Sequence, residues 1–548
     1  MATSGRAPLT RALTARQPAR IQLRPLHRSD KQKTCSQQIH AHHPPTGCAR
    51  FRHGDFHRDE GGLLPVAVAF APGKPCPAPV QRATSEEIHP VINKALSVLA
   101  LACALPVAAQ AASSTRQIGV NVLLNGDATP ATLAKLGTYG TVRDVVAEID
   151  LVTLKTTEDQ LAAIRALPFV TAANPDAERK GSPVDTVSAT NFANGLSTWD
   201  QDAVDVTNLG AGRTIAYDGN GVYVAVLDTG LLDTWRQYFP QERIASQFAK
   251  AFNGGGGEKG NVSEPPNKWE HDQNSHGTHV TSTILGYSLN GVPINGTAPR
   301  ATVIPVKVLN QNGSGWSSVV AAGIVYVANL KASGALGASP VVINMSLGGP
   351  SLDASEKAAI DYAISKGVVI VASAGNEGDA GMGYPGAYAP VVSVAATGWN
   401  GQWKPGADGN PGNWWNADDV PDPTNTADFH IADFSSRALA GQDLDVAAPG
   451  SWVVGPYQTQ SGKTSYFYLS GTSMASPHVA GIAALMLQKD PNLVQADVED
   501  ILTTAAIPWG AGCALVSQPS GPAVNECWGA NATGSGLITA ANALSLTP

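Results

Sequence analysis

Ser473 lies in the run Gly471-Thr472-Ser473-Met474-Ala475-Ser476-Pro477-His478, where small residues before the serine let the backbone turn and leave its hydroxyl open. The amphipathic stretch 479–487 reads as a helix with Pro477 in its first turn, where proline is tolerated. A serine at a helix start stands beside backbone N–H groups that can hold negative charge, although serine and threonine are also ordinary caps. Two other segments decide between these readings. Val224-Ala225-Val226-Leu227-Asp228-Thr229-Gly230 is an apolar run ending in a carboxylate and a glycine, the pattern of a buried strand presenting Asp228 at its tip. His276-Gly277-Thr278-His279-Val280 opens a second helical run with His276 at its start. Together they supply a nucleophile, a base and an orienting carboxylate in the order Asp, His, Ser, one of three chain orders in which unrelated folds assemble the same chemistry. The hydrolase elbow G-x-S-x-G is not matched, because position 475 is Ala.

These blocks resemble the subtilisin-like serine peptidases, and the resemblance runs over residues 199–544. Val342-Ile343-Asn344-Met345-Ser346-Leu347-Gly348-Gly349 and Ala372-Ser373-Ala374-Gly375-Asn376-Glu377-Gly378 extend it. The family's fold is a three-layer α/β arrangement, a parallel sheet flanked by helices. The resemblance implies that His276 takes the proton of Ser473 and returns it to the leaving amine, while Asp228 fixes the imidazole tautomer. Asn376 matches the position whose side-chain amide donates to the oxyanion. His279 and His478 are expected to be buried and structural. Ser346, Leu347 and Gly348 match the segment that pairs with a peptide backbone. Ala374, Gly375 and a floor glycine, Gly383, match a pocket with room for a large apolar or aromatic residue at P1, the residue whose carbonyl is attacked; Glu377 is placed at its rim. No catalytic cofactor is implied. Structural calcium is, in oxygen-rich loops, but the matching loop 286–296 contains no carboxylate, so no metal ligands are assigned.

Upstream, Lys94 precedes the apolar stretch 95–109, and Ala109-Gln110-Ala111 is an A-x-A cleavage signal, so residues 91–111 read as a secretory signal peptide rather than a membrane anchor. Residues 1–90 differ from the rest: 13 Lys and Arg face 6 Asp and Glu, leaving 23 and 38 of the chain's 36 and 44 for residues 91–548. That segment reads either as a disordered basic extension, with nucleic acid one conceivable ligand, or as lying upstream of a true start near Val91. The second reading is favoured. The secreted part shows no nucleic-acid motif.

Residues 112–185 carry their own pattern. Ile118, Val120 and Val122 alternate as a strand, Thr129-Pro130 starts a helix, and two strands follow within residues 142–155. Thr157 with Gln160 predicts a capping box for a helix bearing Leu161, Ile164 and Leu167 on one face, and residues 169–173 close with a strand. This β-α-β-β-α-β order is that of a ferredoxin-like α+β unit, and it resembles the family's inhibitory propeptide, which occupies the cleft until it is cut off autocatalytically. The cut itself is not marked; residues 177–193 read as a polar, turn-rich linker with room for it, and residues 186–548 as the peptidase. The resemblance implies no C-terminal accessory domain, and a monomer acting on proteins or peptides. Cys513 and Cys527, the only cysteines after the signal, are expected to pair in an oxidising compartment. Two insertions, 254–274 and 397–433, read as surface loops, the second with its own cluster of Trp399, Trp403, Trp414 and Trp415. Two rival readings are an aspartic peptidase, for which a second Asp-Thr-Gly is missing, and an inactive homologue acting as a binding module.

Overall fold

The computed structural model describes residues 116–181, 185–188, 197–209, 212–254, 262–458 and 465–548. All belong to one compact unit beginning at Leu105. The expected signal peptide and basic extension lie outside the described residues.

The first described part is a small antiparallel sheet. Its elements are β1 (Gln117–Leu124), α1 (Pro130–Leu136), β2 (Gly140–Val146), β3 (Leu151–Thr157), α2 (Leu161–Arg165) and β4 (Val170–Pro175). The strand order β2-β3-β1-β4 is that of the expected ferredoxin-like unit. Thr129 caps α1, its hydroxyl accepting from the Thr132 N–H at 3.2 Å. The capping box expected at Thr157 does not form: a single 3-10 turn, Glu158–Gln160, precedes α2, and the Thr157 side chain makes no cap bond there. Val120, Val122, Leu136, Val152, Leu154 and Ile164 fill a private core between this sheet and its helices.

Where a turn-rich linker was expected, the chain forms two further strands, β5 (Glu178–Lys180) and β6 (Asp185–Ser188), both paired to the larger part of the molecule.

That larger part is built on β7 (Tyr223–Asp228), α3 (His276–Leu285), β8 (Thr302–Lys307), β9 (Ser314–Trp316), α4 (Ser317–Ala332), β10 (Val341–Met345), α5 (Ala354–Ser365), β11 (Val368–Ser373), β12 (Val392–Trp399), β13 (Phe429–Ile431), β14 (Val446–Pro449), β15 (Tyr466–Ser470) and α6 (Thr472–Lys489). The main sheet runs from the short strand Lys250–Ala251 through β8, β7, β10, β11 and β12 to β13, with β14 also pairing to β12. All of its pairings are parallel except β12 with β13. Each central strand is apolar at consecutive positions because both faces are covered. Val224, Val226, Val342 and Val369 join α3 and α6 in one core, whereas Ala225, Leu227, Ile343 and Ile370 join α4 and α5 in another. Among the described residues no helix is long and apolar enough to cross a membrane.

The second insertion is not the separate surface cluster expected. Trp414 and Trp415 are fully buried and belong to the core that contains α6. Trp414 stacks on Tyr468 of β15 at 5.7 Å, and Trp403 meets the same ring at 4.8 Å.

The small sheet docks on the N-termini of α4 and α5. Asp176 accepts from the Ser318 N–H at 3.0 Å and from both serine hydroxyls there, supplying a cap that α4's own N-cap residue, Trp316, does not. Asp353 caps α5 through the Ser355 N–H at 2.9 Å, and the Asn174 amide donates to Asp353 at 2.7 Å. The Asn121 amide lies within hydrogen-bonding distance of both carboxylates. Val146 and Ile149 add apolar contact.

Candidate active site

β7 is buried from Val224 onward and ends at Asp228, whose carbonyl accepts from the Val308 and Leu309 N–H groups. One Asp228 oxygen accepts from the Thr229 N–H at 2.6 Å, and the Thr229 hydroxyl accepts from the Gly277 N–H at 2.8 Å. These bonds tie the tip of the strand to the first turn of α3. Gly277 is obligatory there, since a Cβ would stand 2.5 Å from the Gly230 carbonyl oxygen. The close approach sets His276 Nδ1 at 2.8 and 3.0 Å from the two Asp228 oxygens, with both side chains removed from solvent. Nδ1–H donates to the carboxylate, and Nε2 has no partner among the described residues.

Ser473 is the second residue of α6, so its N–H is among those the helix itself cannot satisfy. The helix starts earlier than its periodicity suggests, at Thr472, and Pro477 falls in its interior rather than its first turn. A proline leaves the carbonyl four residues back without its helical donor. Here that carbonyl belongs to Ser473, and the Ser346 hydroxyl donates to it instead at 2.8 Å. Asn344 donates to Ser346 Oγ at 3.1 Å and accepts from the Ser476 hydroxyl at 2.7 Å, tying the end of β10 to the serine helix. The Ser473 hydroxyl rests on the Ser346 carbonyl at 3.3 Å rather than on His276.

Asn376 follows Gly375, whose φ of +106° only glycine adopts readily. Its Oδ1 accepts from both the N–H and the hydroxyl of Thr472, each at 2.9 Å. With the oxygen so committed, the amide NH₂ remains to donate, and its Nδ2 borders Gly471 as the Ser473 N–H does, each 3.7 Å from where a Cβ there would stand. The roles of Thr472, Asn344 and Ser476 escaped the sequence reading. The one available signal was a polar Asn inside the otherwise apolar β10.

Gly348 exchanges N–H and carbonyl bonds with Lys180 at 3.0 Å each, while β9 pairs with β5 on its other side. Residues 178–180 therefore lie as a strand between two walls. Gly181 continues it: a Cβ there would be 2.7 Å from the Ser346 carbonyl oxygen and 3.3 Å from His276 Cε1. β6 pairs with β15, which leads directly into Ser473. The chain thus flanks Ser473 on both sides, and the connecting residues 182–184 lie outside the described residues. Leu347 and Ala374 are buried beside this groove. Gly383 has no left-handed backbone, and a Cβ there would find nothing nearer than 3.6 Å, so neither conformation nor crowding demands glycine. Glu377 is exposed, and its carboxylate accepts from the Asn376 N–H at 2.7 Å and from the Ser436 hydroxyl at 3.1 Å.

His279 and His478 are buried as expected. His279 donates to the Val453 carbonyl at 3.1 Å, and burial pushes its pKa down to about 3, keeping it neutral. His478 bonds to the Met474 carbonyl and to Asp200. Burial opposes ionisation of Asp200, but the hydrogen bond and charge of His478, together with hydrogen bonds from Thr198 and Gln201, hold the carboxyl below its ordinary range. Asp272, in the turn before His276, is pushed by burial up to about 6.

Cys513 and Cys527 are disulfide-bonded across an antiparallel pair, Gly512–Val516 with Val524–Trp528. Loop 286–296 does not fit calcium. It is a hairpin, Gly286–Leu289 with Val292–Asn295, whose facing backbone groups pair with one another. Asp443, Asp445 and Glu499 bring carboxylate oxygens within 4.8 Å elsewhere, but Asp445 already accepts from the Ser393 N–H and hydroxyl.

The family model of the subtilases, Peptidase S8, matches residues 219–536, more than half of the chain. The chain belongs to the subtilase family. Among curated subtilases it is 35% identical over 293 residues to a thermostable alkaline protease of Halalkalibacterium halodurans, covering 54% of this chain and 64% of that one. It is 34% identical to thermitase of Thermoactinomyces vulgaris, covering 49% and 76%, and 36% identical to subtilisin E of Bacillus subtilis, covering 53% and 61%. The chain therefore spans less than two thirds of the first and third of these relatives. The crystal structure of fervidolysin from Fervidobacterium pennivorans, a keratinolytic enzyme related to subtilisin, aligns with a TM-score of 0.56 at 24% identity, over 80% of this chain and 62% of that one. That likeness bears on the fold alone, and it agrees with the subtilase architecture of the main sheet.

Proposed function

We propose that this subtilase is a secreted serine endopeptidase, made as a self-processing zymogen, with Asp228, His276 and Ser473 as its triad. The observation that carries this reading is the buried His276, bonded through Nδ1 to Asp228 at 2.8 Å and left without a partner at Nε2. In this reading the Ser473 side chain turns from the Ser346 carbonyl to the open Nε2, which takes the proton as Oγ attacks a peptide carbonyl. Asp228 stabilises the imidazolium so formed. The Ser473 N–H and the Asn376 amide donate to the tetrahedral oxyanion. The histidine then protonates the leaving amine, and water hydrolyses the acyl-enzyme by the same route. No cofactor enters these steps.

Substrate is read as a strand added between β9 and Gly348, with Gly383 leaving space for large apolar or aromatic P1 residues. The chain's own segment 178–181 fills that place, which supports residues 112–185 as an inhibitory propeptide cut between Gly181 and Asp185. Secretion rests on the signal-like residues 91–111. Calcium is assigned no site. A fluorophosphonate probe should label Ser473 in the full chain and fail on Ser473→Ala and on His276→Ala. Labelling of the Ser473→Ala protein at the same level would sink the proposal. A P1 profile dominated by acidic or β-branched residues would remove the pocket assignment.

A further inference from the structure

Arg179, one residue before the Lys180 that pairs with Gly348, has no solvent exposure, and neither has the Glu356 side chain it meets. Its Nε donates to both Glu356 oxygens at 3.1 Å, and Nη2 donates to Oε2 at 2.7 Å. Nη1 bonds to the Glu178 carbonyl and Nη2 to that of Ser351. This is the planar, forked recognition that guanidinium gives and ammonium does not. Glu356 sits in the first turn of α5, where the helix dipole favours an anion. Burial raises its pKa and Arg179 opposes that rise, with the Asp353 and Asp176 carboxylates adding to it. Among the described residues Glu356 has hydrogen bonds to Arg179 alone.

From this geometry we infer that Glu356 forms an acidic substrate subsite, and that this subtilase prefers peptides with arginine three residues before P1, at the P4 position. The inference rests on the proposed peptidase function and deepens it. Lys180 pairs with Gly348 and Gly181 lies against His276; with the proposed cut taken after residue 182, that residue counts as P1 and Arg179 as P4. A bond that merely fastened the propeptide could sit anywhere on its docking face. This one sits in the groove itself, on the strand that takes the substrate's place, so any peptide that succeeds the propeptide in the groove meets the same carboxylate. Leaving a buried carboxylate without its partner is costly, and a substrate guanidinium relieves that cost. An apolar P4 side chain does not.

The test uses mature enzyme from the full chain and fluorogenic peptides identical except at P4. Arginine should exceed leucine in kcat/KM by about tenfold or more, the scale expected when a buried charged group gains or loses its partner. Lysine should fall between them and glutamate last. Glu356→Gln should erase the arginine-over-leucine ratio. Should that variant fail to mature, Arg179→Leu with Glu356→Leu replaces the pair by apolar groups, and its mature form should favour leucine. Equal hydrolysis of the arginine and leucine peptides by wild type, or a ratio unchanged in Glu356→Gln, overturns the subsite. If Ser473 takes the fluorophosphonate and the P4 profile is flat, the subsite alone falls. If no peptide is cut and Ser473 is unlabelled, the peptidase reading falls with it.

Discussion

The two sheets of this molecule are held by different physics. The main parallel sheet is buried on both faces, and its strands share apolar cores with four helices. The small sheet at residues 117–175 has a private core, and it meets the rest largely through polar groups: Asn121, Asn174 and Asp176 on the termini of two helices, and Arg179 on Glu356. Water can replace hydrogen bonds at a helix end at a net cost near 1 kcal/mol each, but it cannot replace an apolar core. The first kind of contact suits a part that leaves, as the proposed propeptide would, and the second a part that stays.

The largest test of that contrast is chemical. Ser473→Ala should lower activity by about 10⁶-fold and leave the two sheets in one uncut chain on a denaturing gel; normal processing would assign the cut to another enzyme. Asn376→Ala should retain the fold and the bond between His276 and Asp228 yet lose about 10²–10³ in kcat, with processing slowed in proportion. A loss confined to KM would contradict its oxyanion role. In the uncut Ser473→Ala background, Trp414→Ala should cost about 3–5 kcal/mol of unfolding free energy. Asn121→Ala at the docking face should cost about 1–3 kcal/mol. Equal costs in urea titrations would erase the distinction between the two regions.

The smallest effect is the pH dependence of docking. Burial, with the nearby charge of Asp353, raises the Asp176 pKa above its ordinary 3.8, against the hydrogen bonds from Ser318 and Ser317. A raised carboxyl pKa means that the docked state binds the proton more tightly. Its contribution is therefore complete below about pH 4 and is lost as pH rises through the shifted value, with a slope of at most about one proton. Asp176→Asn in the uncut chain should flatten that part of the profile. A parent and variant with superimposable slopes would show that Asp176 does not govern it.

How much was legible in the sequence depends on where each constraint acts. Asp228, His276 and Ser473 stand at the ends of apolar runs, so local pattern locates them before any tertiary contact is known. The six-element order of the small sheet was equally local. By contrast, Thr472 holding Asn376 depends on residues 96 apart, and Arg179 on Glu356 on residues 177 apart. Neither leaves a periodicity to read. The tryptophans of 397–433 were misplaced because glycine- and proline-rich surroundings mimic a surface loop, whereas ring area drives Trp414 and Trp415 into the core. The Thr157 box failed because one turn of 3-10 helix intervenes.

Strand β6 would give the proposed maturation a second clock. Were the chain cut upstream of Asp185 as proposed, the new amino terminus would begin life still laddered to β15, immediately ahead of Ser473. The first product of that cleavage would then also be the first occupant of the enzyme. The rate at which activity appears would be set by how fast this short ribbon peels away, and not only by how fast the bond breaks.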